Sequence, residues 1–161
     1  MIVYVVGPCG AGKSYQTSKL KNIKVIHADR WLLKHHKRLA YKPFMWDALF
    51  YVGSVYFKSL ENKYSKEFVV VDVGGGFIVS KHAEGFFKGR MCVFVSNTKA
   101  KNLYDQAVSS KPFLKATSFS SYMKSEFCPH RKRIYGNSLF KITEKQSLNN
   151  LIGIIKKYIN L

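Results

Sequence analysis

The chain has 161 residues, 47% of them hydrophobic and 15% aromatic, which is enough to bury one domain's core and too apolar for a disordered chain. Its apolar runs are short and interrupted, which argues against a transmembrane helix, and the opening Met1-Ile2-Val3-Tyr4-Val5-Val6 lacks the basic leader of a signal peptide. Lys and Arg number 27 against 9 Asp and Glu, a net charge of +18. Residues 1–90 hold 15 basic and 6 acidic side chains and residues 91–161 hold 12 and 3, so each part carries +9 and the charge is no tail. Drift toward AT-rich codons explains abundant lysine but not scarce acid. Two readings stay open: a polyanionic partner such as nucleic acid, or a merely basic protein with a small anionic substrate. Cys9, Cys92 and Cys128 are too few and too scattered for a disulfide framework or a metal site, so a reducing, cytoplasmic setting is expected.

In chain order, Ile2–Val6 is β-rich and ends at Gly7, which predicts a buried strand. A helix is expected from Lys13 to about Lys21, and a second short strand over Lys24–His27. Asp29 then stands where an N-cap belongs, before Trp31-Leu32-Leu33. Apolar residues at helical spacing from Phe44 to Asn62 predict a long helix with Gly53 as its weak spot. Phe68–Val71 is a continuous β-branched run closed by Asp72 and Gly74-Gly75-Gly76. Met91–Val95 and Leu139–Ile142 read as strands, Thr98–Ser109 and Leu148–Ile159 as helices. Solidly apolar strands alternating with helices predict an α/β fold: a five-stranded parallel sheet covered on both faces. No repeat or linker divides residues 1–161, so a single domain is expected, and a monomer.

Gly7-Pro8-Cys9-Gly10-Ala11-Gly12-Lys13-Ser14 fits G-x-x-x-x-G-K-[ST] and lies between a predicted strand and a helix. Gly7, Gly10, Ala11 and Gly12 let backbone N–H groups converge on phosphate oxygens, helped by the helix N-terminus. Lys13 would reach the β- and γ-phosphates, and the Ser14 hydroxyl would ligate Mg²⁺. A bare strand-to-helix turn would not require the Lys-Ser pair. ATP and Mg²⁺ are therefore the expected cofactors. No Asn-Lys-x-Asp guanine motif occurs, and the length suits a small phosphotransferase.

From the phosphate loop onward the chain resembles the shikimate kinase family over nearly its whole length. Asp29 after the second strand matches the carboxylate that contacts the acceptor hydroxyl. Phe57-Lys58-Ser59-Leu60-Glu61 resembles Phe-Arg-x-x-Glu, and Gly74-Gly75-Gly76 the triple glycine of the acceptor pocket. Lys111-Pro112-Phe113-Leu114 is similar to the lid's Arg-Pro-Leu-Leu, and Arg131-x-x-x-Tyr135 to an Arg-x-x-x-Tyr that binds the substrate carboxylate. The resemblance implies a three-layer P-loop kinase fold with a mobile lid at about 108–130. It also implies Lys13, Asp29 and Arg131 as catalytic residues and Lys111 beside the nucleotide. Asp29, Lys58, Gly74, Gly75, Gly76 and Arg131 would bind the acceptor.

Two departures bear on the acceptor. Lys58 and Lys111 replace arginines, giving up a planar bidentate fork for a flexible point charge. His27 stands where the family tends to place a metal-side acid, and Asp72, ending an apolar strand, is expected to supply that carboxylate alongside Ser14; a strand-end cap is the alternative. Asp29 as a plain helix cap is likewise open against acceptor orientation and proton uptake. Around the expected lid, Arg131 and Arg133 lead Lys111 and Lys115 as clamps for the transferring phosphoryl group. His35-His36 reads as a solvated helix face, and Cys9 as a small loop residue despite the thiol-activating potential of a helix N-terminus.

Three functions compete. The first is an ATP-dependent kinase acting on a nucleotide or nucleic-acid hydroxyl, favoured by the +18 charge. The second is a shikimate kinase-like enzyme acting on a carboxylated alcohol. The third is a non-catalytic nucleotide-binding protein.

Overall fold

The computed structural model describes residues 1–39, 45–96, 100–111, 114–115, 117–143 and 146–159. Strands β1 (Ile2–Val6), β2 (Lys24–His27), β3 (Val69–Asp72), β4 (Cys92–Val95) and β5 (Phe140–Ile142) form one sheet in the order β2-β3-β1-β4-β5, with every pairing parallel. Between them run α1 (Lys13–Ser18), α2 (Ala28–His35), α3 (Trp46–Lys63), α4 (Ala83–Phe87), α5 (Ala100–Ser110), α6 (Phe119–Glu126) and α7 (Pro129–Gly136); α8 (Leu148–Tyr158) follows β5. The five strands fall where the apolar runs predicted them, within a residue. Phe44, Thr98, Pro112 and Phe113, which belong to expected elements or to the lid motif, lie outside the described residues.

The period-two geometry of a strand divides β1 between two cores. Ile2, Tyr4 and Val6 face α2, α3, α4 and α7, whereas Val3 and Val5 face Leu148, Ile152 and Ile155 of α8. Fully buried rings such as Phe57 and Phe77 each contribute roughly 1.5–3 kcal/mol through lost contact with water. Gly53 does not interrupt α3. A Cβ there would overlap the Phe77 ring, so the glycine lets the helix approach the turn at Gly75–Ile78.

Three local expectations are corrected. Helix α1 stops at Ser18 rather than near Lys21, and Asn22 at φ 56° turns the chain into β2. Asp29 lies inside the first turn of α2, whose N-cap is His27, and makes no capping bond. Phe57–Glu61 is a structural cluster. Glu61 accepts from the Tyr4 hydroxyl at 2.7 Å and from Arg90 Nε at 2.7 Å and Nη2 at 3.2 Å. Burial raises the Glu61 carboxyl, but the bonds from Arg90 and Tyr4 outweigh it and hold the group below its ordinary value. Lys58 meanwhile faces solvent.

Candidate active site

β2 and β3 end in register, and β1 runs one residue further. Register places Val5, Asp72 and His27 side by side across β1, β3 and β2. The phosphate loop leaves β1 there, and Gly12, at φ 79°, caps α1. Ser14 in the first turn donates its hydroxyl to Asp72 Oδ2 at 2.7 Å, and His27 Nδ1 stands 3.1 Å from the same oxygen. Asp72 is buried. Lys13 Nζ donates to the Gly7 and Pro8 carbonyls at 2.8 and 3.1 Å, which fixes the ammonium over the loop.

A hydroxyl beside a buried carboxylate suits Mg²⁺, which takes one or two protein oxygens and fills its octahedron with water and phosphate. Among the described residues no group of three or more His, Cys, Asp or Glu forms a protein-only cage. The donor set fits a phosphate-bridging ion.

Two cavities meet at this edge. One, of about 420 Å³, opens over Gly10, Gly12, Lys13 and Ser14. The other, of about 130 Å³, lies beneath Leu32, Trp46, Leu49 and Gly76. Cys9, Asp29, Gly75 and Lys111 line both, so Asp29 sits at the boundary. A Cβ on Gly74 would overlap the Asp29 carboxylate; the glycine is what lets α2 bring that group against the turn after β3. Lys111 Nζ, after the end of α5, is 3.7 Å from Asp29 Oδ2.

Arg131 is buried at the floor of the smaller cavity, only 1% exposed. Its Nη2 donates to Gly75 O at 2.8 Å, and its Nη1 stands 2.6 Å from Glu126 Oε2. Burial opposes the Arg131 charge, but Glu126 together with Tyr135 and Cys128 outweighs it and raises the group. Glu126 Oε2 also accepts the Cys9 N–H at 3.0 Å, and the Tyr122 hydroxyl, one turn earlier on α6, donates to Cys9 O. One face of α6 thus holds both backbone polar groups of a phosphate-loop residue. Burial pushes the Cys9 thiol up, outweighing the lowering by Lys111, so no helix-activated thiolate arises.

The structure therefore brings together Lys13, Ser14, Asp29, Asp72, Lys111, Arg131 and the glycines at 7, 10, 12 and 74–76. Lys58, expected to bind the acceptor, lies outside both cavities because its position on α3 points away from the sheet edge. Arg133, expected among the clamps, pairs instead with Glu84 at 2.7 Å and joins α7 to α4. Lys115 is exposed and lines neither cavity. Sequence reasoning missed Glu126, Tyr122 and Trp46. Tyr122 and Glu126 are spaced i, i+4, and Glu126 is one of three acids after residue 90, the only signals that could have found them.

The sequence matches no family model and no curated protein sequence. Its structure is similar to that of the shikimate kinase from Acinetobacter baumannii solved in complex with shikimate (TM-score 0.62, 20% identity, 99% of this chain and 93% of that one). It is also similar to the shikimate kinase from Aquifex aeolicus (0.59, 24%, 99% and 96%). The Mycobacterium tuberculosis APS kinase, solved with AMPPNP and APS, matches as well (0.62, 14%, 99% and 97%). The parallel sheet, its strand order and these likenesses define the fold of the small P-loop kinases. No helix among the described residues is long and apolar enough to cross a membrane.

Proposed function

We propose that the protein is an ATP-dependent phosphotransferase that passes the γ-phosphate to an alcohol hydroxyl held at Asp29. The observation that carries this reading is the position of Asp29 on the boundary of both cavities, beside Lys111 and opposite the phosphate loop. The larger cavity takes ATP, with Lys13 and the loop N–H groups on its phosphates. Ser14 and Asp72 would hold Mg²⁺, which neutralises phosphate charge. Asp29 orients the acceptor hydroxyl and receives its proton as that oxygen bonds to the γ-phosphorus. The bond from phosphorus to the bridging oxygen breaks, and its electron pair leaves with ADP. Lys13 and Lys111 would meet charge spreading over the equatorial oxygens.

For the acceptor we favour a nucleotide or nucleic-acid hydroxyl over a carboxylated alcohol. Two facts support that choice. The +18 charge draws polyanions to the surface, and the carboxylate grip expected from Lys58 and Arg131 is dispersed, one facing solvent and the other paired with Glu126. A shikimate-like small-molecule kinase remains the competing enzyme, and a non-catalytic nucleotide binder the third reading. Incubation with γ-labelled ATP and Mg²⁺ separates them, using nucleosides, DNA and RNA ends, and shikimate as acceptors. Label on a nucleoside or nucleic-acid hydroxyl is the expected result. Label on shikimate alone selects the second reading, and ATP binding without transfer selects the third.

A further inference from the structure

The acceptor cavity holds two opposed charge pairs. Lys111 faces Asp29 at 3.7 Å, and Arg131 faces Glu126 at 2.6 Å. Among the described residues the rest of the wall is largely apolar: Leu32, Trp46, Leu49, Val79 and Leu114. Its volume, about 130 Å³, is close to that of an engineered cavity of about 150 Å³ that holds benzene. Space of that size takes one ring.

Resting on the kinase reading above, we propose that the cavity admits an uncharged, single-ring alcohol unit, and that Glu126 sets this specificity by occupying Arg131. Arg131 is the one guanidinium lining the cavity among the described residues; it donates to Gly75 O and is ion-paired with Glu126. A carboxylated ring reaching for it would bring a second carboxylate onto a guanidinium already neutralised, at a pair that is itself buried. An uncharged ring meets no such repulsion.

Glu126 cannot readily swing aside. It is 9% exposed, its Oε2 also accepts the Cys9 N–H, and Tyr122 anchors the same helix to Cys9 O. A purely structural Glu126 would hold the phosphate loop and nothing else. The two roles separate in the Glu126→Gln variant, which retains an oxygen for the Cys9 N–H and removes the charge. Loss of a loop anchor would weaken every ligand alike. Loss of a specificity residue changes the ratio between charged and uncharged rings.

The experiment measures binding to the protein loaded with AMPPNP and Mg²⁺, by calorimetry. The probes are shikimate, its uncharged carboxamide and a free pyrimidine nucleoside. The first two share a ring and differ only in charge. Wild type is expected to bind the carboxamide or the nucleoside at least tenfold tighter than shikimate. In Glu126→Gln the ratio of carboxamide to shikimate affinity should shift at least tenfold toward shikimate. The better of the carboxamide and the nucleoside identifies a cyclic polyol or a nucleoside sugar as the source of the ring.

A wild-type preference for shikimate overturns the proposal, and so does an unchanged ratio in a folded Glu126→Gln protein or failure of both uncharged rings to bind. If the variant does not fold, the wild-type comparison still decides. Failure to move label from ATP to any hydroxyl would sink the kinase reading. Transfer that favours the carboxylated ring would sink this inference and the nucleotide preference, and leave the kinase reading standing.

Discussion

The nucleotide end and the acceptor end of the site are built by different means. At the nucleotide end Lys13 bonds carbonyls five and six residues away, and Ser14 reaches Asp72, 58 residues on. At the acceptor end Arg131 meets Gly75 across 56 residues, and Glu126 meets Cys9 across 117. A contiguous loop takes most of its shape from the strand before it and the helix after it, with α6 adding an anchor at Cys9. An assembled cavity depends on the packing of α2, α3, α6 and α7 against one sheet edge. Changes at the nucleotide end should therefore abolish chemistry without altering selectivity, and changes at the acceptor end should do the reverse.

The largest effect is expected where the two ends meet. Asp29→Asn should lower transfer by about 10²–10⁴-fold, the usual worth of a positioned general base, while ATP affinity stays within a few-fold. Paired measurement of turnover and nucleotide binding checks this; equal loss of both would assign Asp29 to the nucleotide end. Lys13→Ala should cost about 10²–10³-fold in kcat, as loss of one electrostatic donor does, with an unchanged circular dichroism spectrum. Near-normal turnover in that variant would mean that the loop is not the reaction centre.

A smaller effect concerns stability rather than chemistry. Glu61→Gln should destabilise the fold by about 1–2 kcal/mol at pH 7, since it weakens charged hydrogen bonds to Arg90 and Tyr4 at a partly exposed site. The folded Glu61 titrates below its unfolded value, so its contribution is complete above the unfolded carboxyl range and is lost as pH falls through the lower, folded one. Urea titrations of both proteins at pH 7 and near pH 3 should therefore converge at the acid end. Smallest of all, Lys58→Ala should change kcat and KM by less than about twofold, because the side chain faces solvent outside both cavities. A tenfold rise in acceptor KM would restore Lys58 to the acceptor end.

The same contrast explains what could be read before the fold was in hand. Apolar runs located the strands because a parallel sheet covered on both faces buries every residue of its central strands, and Ile2–Val6 and Val69–Asp72 are buried throughout. The resemblance to shikimate kinases singled out Asp29 and the triple glycine, which lie together at the sheet edge. It also singled out Lys58, which faces solvent, because matching a Phe-x-x-x-Glu spacing on a helix says nothing about which face of α3 meets the cavity. Helices α4, α6 and α7 escaped notice for a related reason. They are short, and α7, Pro129–Gly136, is so basic that its buried Arg131, Ile134 and Tyr135 form no apolar stripe.

What the sequence determined by itself is the local chemistry: the Gly7–Ser14 loop, the strand that precedes it, and the acid that closes β3. Each depends on neighbours within a few residues and on backbone geometry that glycine or β-branched side chains impose. The tertiary structure alone decided that Glu126 lies against Arg131 and the Cys9 N–H, that Asp72 is shared by Ser14 and His27, and that Lys58 is left in solvent. A buried charge must find its partner wherever packing brings one within reach, and that partner is set by how helices cross the sheet rather than by any spacing along the chain.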